Sequence, residues 1–395
     1  MAFVPRAELD RRRAGLQSGL RAQGIDVALI VQPVDLYYFT GTLQQAHLIV
    51  PGHGEALLLV RRDLSRALEE SSLPHIEPLD SLRALPDALA RLGVAPDATI
   101  GLELDVLPVV HFRRYEALLP EATFADCSGA VREVRSVKST LELALLAEAA
   151  VQADGVLREA ALFIREGMTE IEVSAHLEAT LRRLGHQGVV RFRAFGQEMV
   201  LAHVFAGPDA AVGSYMDAPL GGRGLTPAVA QGAGRRPIRR NEPIVLDVAG
   251  AADGYIVDQT RTLCLGTLPE EFREAYDACM NIQDLVRRTA LPGTSCGDVY
   301  QVALAQATAF GYGDAFMGAV PNQVSFIGHG VGLEIDEVPF LARGADRRLV
   351  VDNVVAVEPK LVFPGRGAVG VENTWRVVDG GLESITAAPD HVWEI

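Results

Sequence analysis

The sequence predicts an α+β protein with two domains, and three observations lead to this prediction. The chain has 395 residues, which is more than one ordinary compact core accommodates. Short helix and strand patterns alternate in the first third, whereas long helical stripes mix with antiparallel-type strand runs afterwards. The segment REVRSVKSTLELALLAEAA marks the change. We therefore expect a smaller domain at residues 1–134 and a larger one at residues 135–395.

The first domain is predicted to be of the α/β type. A helical pattern covers residues 7–23, and the apolar runs VALIVQ, HLIV and ALLLV predict strands, the last two joined by the turn PGHGE. Helical patterns at 64–68 and 82–92 and a strand at 99–104 continue the alternation. The histidines of this region have no metal-type spacing to one another, so we interpret them as solvated or core residues.

Capping residues predict three helices in the second domain. Ser139 with Glu142 forms a capping box ahead of a long apolar stripe, and TEIE at 169–172 forms another. Ser295 with Asp298 opens a third helix. Strand-like runs lie between and after them: VVRFRAF, EMVLAHVFAG, PIVLDVAG, YIVDQTRTLCL, VVAVEPKLVF and GVENTWRVV. Helices and antiparallel strands are mixed, which is typical of an α+β domain.

Composition and charge exclude several classes of partner. The formal net charge of −15 argues against nucleic acid and anionic membrane surfaces. There is no apolar run of about 18 residues and no signal-peptide pattern, and the four scattered cysteines indicate reduced thiols, so we expect a cytoplasmic protein. Residues 207–240 predict a long flexible or functional loop, in which GGRG and GAG do not match a phosphate loop.

A hairpin with two acids stands at the centre of the second domain. Two apolar strands carry Asp247 and Asp258, and the turn between them is built on Asp253-Gly254. The acids are placed so that they face each other across the pair. Two buried carboxylates side by side are costly unless one is protonated or a cation lies between them. A structural acid cluster satisfied by Arg261 is the alternative interpretation.

Three further metal-type ligands follow along the chain. His329 lies between two glycines in IGHGVGL, where the missing side chains allow backbone and ligand to approach closely. Glu358 and Glu372 interrupt apolar strands, although a glutamate is rarely buried without a partner. Taken alone, His329 would be read as a core histidine. Four carboxylates and one imidazole together predict a site for Mn²⁺, Fe²⁺, Co²⁺ or Zn²⁺, with charge enough for two ions.

These residues resemble the pita-bread metallopeptidases. The resemblance is carried by the order D-x10-D, GHGVGL, EP and VENT, with VDQTRT around the second acid. This family includes Xaa-Pro dipeptidase (prolidase), aminopeptidase P, methionine aminopeptidase and creatinase. VDLYYFTG is similar to the creatinase-type N-terminal domain. The resemblance implies a pita-bread catalytic domain preceded by a smaller α/β creatinase-type domain, and a homodimer.

The resemblance also implies a role for each ligand. Asp247 would chelate one metal ion, Asp258 and Glu372 would bridge both ions, and His329 and Glu358 would bind the second. Manganese is the first expectation for the two ions, with cobalt, zinc or iron as alternatives. Glu358 would take the proton of the water from which a metal-bridging hydroxide forms.

The implied function is a dinuclear metal-dependent peptidase that hydrolyses small Xaa-Pro peptides, of the prolidase or aminopeptidase type. One alternative is a metal-dependent non-peptide C–N hydrolase or lyase acting on a small zwitterion. A non-catalytic pita-bread binding module is the other.

The chain departs from the family pattern outside the five ligands. Asp336 stands where a second histidine is usual, and Gln231 stands where a histidine usually precedes the first aspartate. Gly370 replaces the usual arginine, Val362 the usual tyrosine, and Lys360 the glycine of an EPG turn. The metal ligands are retained while the residues expected to clamp the substrate and transfer protons differ.

Several residues are candidates to replace them. His203 and Asp336 are candidate catalytic groups beside Glu358, with a core histidine and a surface acid as the alternatives. Arg366 and Arg193 are candidate clamps for a substrate carboxylate, as are Arg191 and Arg235, and each could instead be solvated. Tyr38, with Tyr37, is a candidate contact to the substrate of a neighbouring subunit, or a buried aromatic pair.

Overall fold

The computed structural model describes residues 4–395, which form two compact units. The first unit ends at Arg135 and the second begins at Ser136. Each unit combines helices with sheet, as expected of an α+β protein. Within residues 4–395, no helix has the length and apolar character needed to cross a membrane.

The first unit is built on one six-stranded mixed sheet in the order β4-β3-β2-β1-β5-β6. Its strands are β1 (Val27–Ile30), β2 (Ala46–Pro51), β3 (Leu57–Val60), β4 (Ile76–Pro78), β5 (Thr99–Leu102) and β6 (Thr123–Asp126). Its helices are α1 (Arg6–Ala22), α2 (Pro33–Thr40), α3 (Leu64–Glu70), α4 (Leu85–Arg91), α5 (Val109–Leu118) and α6 (Ser128–Ser136), the last of which runs one residue into the second unit. The central strand β1 is buried throughout, which explains why its sequence reads as a continuous apolar run.

Three of the four helices of the second unit begin where their capping residues predict. The four helices are α7 (Thr140–Phe163), α8 (Glu170–Arg183), α9 (Glu270–Thr289) and α10 (Cys296–Ala309). Both predicted capping boxes are present, and Ser295 caps α10 by accepting from the backbone N–H of Asp298. Helix α9 was not predicted, although Pro269 precedes it and acids occupy its first turn. Its apolar face packs in one core with α10 and the strands beyond.

The second unit contains three sheets. Their strands are β7 (Ala202–Ala206), β8 (Ile244–Ala252), β9 (Tyr255–Cys264), β10 (Phe326–Gly330), β11 (Glu337–Ala342), β12 (Val354–Val357), β13 (Lys360–Phe363), β14 (Gly367–Gly370), β15 (Asn373–Val378), β16 (Gly381–Ser384) and β17 (Trp393–Glu394). The orders are β17-β9-β8-β7, β11-β10-β12-β15-β16 and the hairpin β13-β14. Helix α7 packs on β8 so closely that a Cβ atom on Gly250 would lie 2.2 Å from the carbonyl oxygen of Ala149.

The predicted hairpin is confirmed, but its two acids are not directly opposite each other. Strands β8 and β9 are joined by Asp253 and Gly254, which both have positive φ, as a two-residue turn of type I′ requires. In the register, Asp247 pairs with Thr260, and Asp258 pairs with Ala249. The acids are therefore diagonal neighbours on one face, because both positions differ by two residues.

One of the predicted strand runs forms no strand, and another is only partly strand. VVRFRAF at 189–195 forms none, and of the run that begins at Glu198 only β7 is strand. Val189 and Phe195 are exposed, so this apolar run is not part of a core sheet. An apolar run predicts a strand only where a partner strand is available, and the sequence does not show that.

Candidate metal centre

Adjacent strands line up the first residues of the site. His203 on β7 is opposite Asp247 on β8, and Asp247 is opposite Thr260 on β9. The backbones of Thr260 and Glu372 exchange hydrogen bonds, and the Thr260 hydroxyl donates to Glu372 Oε2 over 2.7 Å. The strand register thus aligns His203, Asp247 and Thr260, and the hydrogen bonds of Thr260 bring Glu372 next to them.

The glycines on both sides of His329 allow neighbouring strands to approach closely, as predicted for the backbone, and the close approach of a ligand stays a prediction. A Cβ atom on Gly328 would lie 2.2 Å from the carbonyl oxygen of Ala356, and one on Gly330 would lie 2.6 Å from that of Glu337. Strand β10 can therefore sit between β11 and β12 only if it has no side chains at these positions. The tight packing fixes the backbone that presents His329.

Three of the predicted ligands form a compact donor group. Asp258, His329 and Glu372 are buried, and each offers a ligand atom within 4.8 Å of those of the other two. Glu358 Oε1 lies 3.8 Å from His329 Nε2, and Glu372 Oε1 lies 3.9 Å from it. One nitrogen and several carboxylate oxygens are a donor set that divalent transition metals accept.

Two buried oxygens without hydrogen-bond partners indicate that the cluster is suited to bind a cation. Asp247 Oδ1 and Glu372 Oε1 are buried with no hydrogen-bond partner. Burial raises the pKa of Asp258 well above its usual value, and the carboxylates of Glu372 and Asp247 raise it further. An acid cluster with orphaned oxygens is costly unless a cation completes it. The residues present therefore fit a divalent ion between Asp258, His329 and Glu372.

A lysine occupies the opposite side of the same acid cluster. Lys360 Nζ donates to Glu358 Oε2 over 2.5 Å and to Glu372 Oε2 over 2.8 Å, and it lies 3.5 Å from Asp247 Oδ2. The side chain is 2 % exposed. Burial alone would lower the pKa of Lys360, but the carboxylates of Asp247, Glu358 and Glu372 outweigh burial and raise it well above its usual value. The lysine is therefore a charged part of the cluster.

Asp336 lies behind the metal-facing side of His329. Asp336 Oδ1 is 3.4 Å from His329 Nδ1, and the carbonyl oxygen of Gly330 is 3.2 Å from the same nitrogen. Both are acceptors, so the proton belongs on Nδ1 and the Nε2 lone pair is free to face Glu358 and Glu372. Burial alone would lower the pKa of His329, but Asp336 and the two glutamates raise it. Asp336 is therefore a partly exposed loop residue whose carboxylate contacts His329.

His203 also reaches the cavity next to the cluster. It is 4 % exposed, it stacks on Phe205 with ring centroids 5.3 Å apart, and its Nδ1 is buried without a hydrogen-bond partner. Burial lowers its pKa, and nearby Lys360 lowers it further, while Asp247 opposes both. A neutral imidazole at a cavity wall is able to exchange a proton with a bound molecule.

The three candidate substrate contacts are not brought to this cavity. Arg366 is exposed and forms an ion pair with Glu271. Arg193 is buried, and its guanidinium lies 3.8 Å from Glu334. Tyr38 is 1 % exposed in the first unit, where its hydroxyl donates to the carbonyl oxygen of Val134. Arg366 and Arg193 are thus not among the residues that line the cavity, and the contact of Tyr38 to the substrate of a neighbouring subunit stays a prediction.

Arg261 does not satisfy the acid cluster, so the structural alternative is not supported. Its guanidinium donates to the carbonyl oxygens of Thr260, Glu372, Ala388 and Pro389, to Asn373 Oδ1 and to Asp390. It braces the strands behind the cluster. Thr260 and Lys360 are the members of the site that the sequence reading missed, and a lysine inside the apolar run VVAVEPKLVF was the available signal.

The predicted loop forms part of the cavity wall. Residues 216–220 and Gln231 line the cavity together with residues of the cluster. The base of the loop is held by Glu170, whose carboxylate accepts from the backbone N–H groups of Ala206 and Gly234. Lining the cavity beside the cluster favours the functional interpretation of this loop, which stays a prediction.

Comparison with known proteins places these features in a family context. Residues 144–379 match the model of "Metallopeptidase family M24", and residues 12–137 match that of the "Creatinase/Prolidase N-terminal domain". A curated relative is an Xaa-Pro dipeptidase from Pyrococcus furiosus, 26% identical over 366 residues that cover 92% of this chain and 93% of the relative.

Solved structures are similar over almost the whole chain. The Xaa-Pro dipeptidase from Bacillus anthracis superposes with a TM-score of 0.84 at 26% identity, covering 98% of this chain and 100% of the other. The X-Pro aminopeptidase from Thermotoga maritima gives 0.80 at 24% identity, covering 97% and 99%. Both units of this chain therefore have counterparts of known fold.

Proposed function

This chain belongs to metallopeptidase family M24, and on this premise we propose that it is a metal-dependent peptidase that hydrolyses small Xaa-Pro peptides. The observation that carries the proposal is the buried donor group of Asp258, His329 and Glu372, with Glu358 beside it, at the wall of one cavity. The names of the relatives in Pyrococcus furiosus and Bacillus anthracis support the Xaa-Pro specificity.

The chemistry divides between the ion and the side chains. A divalent ion, when bound, lowers the pKa of water and polarises a carbonyl group. Glu358 is the proposed proton acceptor through Oε1, because its Oε2 already accepts from Lys360. His203 is the proposed proton donor to the leaving nitrogen, and Asp336 holds His329 in the tautomer that leaves Nε2 free.

The cavity wall favours recognition of the substrate's amino end. Asp336 and Asp217 both line the cavity, and acids at a wall attract a protonated α-amine. Among the described residues that line it there is no arginine, and the one cation, Lys360, is engaged by the cluster. Bidentate binding of a free substrate carboxylate, as in a dipeptidase, calls for an arginine guanidinium. This wall therefore fits recognition of the amino end, as in an aminopeptidase, at least as well as recognition of a free carboxylate.

Release of free amino acids from a peptide panel tests the proposal. The purified protein is loaded with Mn²⁺ and given Xaa-Pro dipeptides, the same dipeptides with an amidated C-terminus, Xaa-Pro tripeptides and non-proline controls. Cleavage of Xaa-Pro members with little loss on amidation is the expected result. If no peptide is cleaved while metal is bound, peptide hydrolysis is wrong, and a C–N hydrolase or lyase acting on a small zwitterion takes its place.

Manganese as the native ion, a homodimer and a cytoplasmic location stay predictions from the sequence. The sequence also led us to expect two ions, and the position of Lys360 bears directly on that number.

A further inference from the structure

We propose that Lys360 permanently occupies one of the two cation places in the acid cluster, so that the centre holds a single divalent ion beside a lysine ammonium. The inference rests on the metal-dependent function proposed above. It concerns the number of ions, not the substrate.

The two glutamates divide their oxygens between two sides of the cluster. Glu358 and Glu372 each direct Oε1 towards His329 Nε2, at 3.8 and 3.9 Å. Each directs Oε2 to Lys360 Nζ, at 2.5 and 2.8 Å. The cluster therefore has one cation place beside the imidazole and another that the ammonium fills.

The Glu372 oxygen on the lysine side has no capacity left for an ion. Glu372 Oε2 accepts from both Lys360 and the Thr260 hydroxyl, which uses the two lone pairs of a carboxylate oxygen. Glu372 Oε1, in contrast, is buried and has no partner. The vacant oxygen of Glu372 thus faces the side of His329, where the first ion fits.

A second ion would need the space of the ammonium. Metal–oxygen distances are about 2.0–2.6 Å, and paired ions lie about 3.5–4 Å apart. An ion bound to Glu372 Oε2 and Asp247 Oδ2 would compete with Nζ for these two oxygens, since Nζ lies 2.8 and 3.5 Å from them. Two cations cannot share one place, so the lysine would have to leave a pocket in which it is 2 % exposed.

Close packing against Gly370 also fixes the course of the Lys360 side chain. Lys360 pairs with Gly370 in the hairpin β13-β14, and a Cβ atom on Gly370 would lie 2.5 Å from Lys360 Cγ. It would also lie 3.0 Å from the carbonyl oxygen of Pro359. Any larger residue at position 370 would press on the lysine side chain. The position of the Lys360 side chain therefore depends on the absence of a side chain at Gly370.

Counting ions tests the proposal without using activity. The wild-type protein and the Lys360→Ala variant are saturated with Mn²⁺, desalted and analysed for manganese per chain by mass spectrometry. We expect about one ion in the wild type and up to about two in Lys360→Ala, because removing the side chain opens the second place. Lys138→Ala is the matched control, since Lys138 is the only other lysine, is equally buried and pairs with Glu337 outside the cluster. Its count should stay at about one.

A crystal structure of the Mn²⁺-loaded wild type gives an answer that does not depend on how the variants fold. One anomalous peak beside His329, with Lys360 Nζ still between Glu358 and Glu372, is the expected result. Two peaks with the lysine displaced would overturn the inference and leave the peptidase proposal intact. One ion per chain without cleavage of any peptide would support the inference on ion number and contradict the peptidase proposal. No bound ion under any condition would overturn both.

Discussion

Asp336 Oδ1 lies 3.4 Å from Nδ1 of His329, on the side of the imidazole away from the two glutamates. The contact assigns the proton to Nδ1 and leaves Nε2 as the ligand atom. A residue that departs from the family pattern thus takes a positioning role at the metal centre, since it acts through His329.

Replacing Asp336 should weaken metal binding. We expect Asp336→Ala to lower Mn²⁺ affinity about 10–100-fold, because partners of metal-bound histidines contribute on that scale. Asp336→Asn should lose less, since its amide oxygen still accepts from Nδ1–H. Calorimetric titration with Mn²⁺ measures both variants, and Glu383→Ala, an exposed acid on β16, is the control. Equal affinity in all three would contradict the positioning role.

Replacing His203 should reduce turnover without changing metal content. His203→Phe keeps a ring that can stack on Phe205 but removes the free nitrogen. We expect kcat to fall about 10²–10⁴-fold, which is the usual contribution of a general acid or base. His186→Phe is a matched control, because His186 is also buried in the second unit but does not line the cavity. Unchanged kcat in His203→Phe would identify a core histidine.

Glu170 should make the stability of the second unit depend on pH. Burial raises the pKa of Glu170 to about 7 from 4.5, although two backbone N–H groups oppose this. Between these values the folded state binds the proton more tightly than the unfolded state does. Stability is therefore fully present below pH 4.5 and is lost as the pH rises to about 7, by up to roughly 3 kcal/mol.

Glu170→Gln tests this dependence, because glutamine is neutral throughout. Urea unfolding at a series of pH values should show a flatter profile for the variant than for the wild type between pH 4.5 and 7. Glu166→Gln is the control, since Glu166 is an exposed acid just before the same helix. Parallel profiles for wild type and Glu170→Gln would contradict the assignment.

Arg261 should be required for stability rather than for ion binding. It is fully buried and donates to four backbone carbonyl oxygens behind the cluster. Lysine cannot reproduce the planar fork of donors, so Arg261→Lys should lower the free energy of unfolding by about 3–5 kcal/mol. The urea midpoint measures the loss. Arg288→Lys, whose side chain is 60% exposed, should stay within about 0.5 kcal/mol.

The sequence by itself determined the β8-β9 hairpin and the starts of three helices, and it predicted the ligand set. Each of these depends on neighbours in the chain: Ser139 caps α7 through Glu142, and Asp253-Gly254 fixes the turn. An acid inside an apolar strand is also a local signal, because burying it without a partner is costly. Signals of this kind can be recognised from the sequence alone.

The tertiary structure decided what surrounds the ligands. Lys360 meets Asp247 across 113 positions of sequence, and this contact depends on how separate strands are arranged. For the same reason the sequence did not show that Asp336 faces His329, or that Arg366 and Tyr38 end elsewhere. Sheet register and the direction of long side chains are properties of the packed molecule. They decide that a lysine is held by the acids.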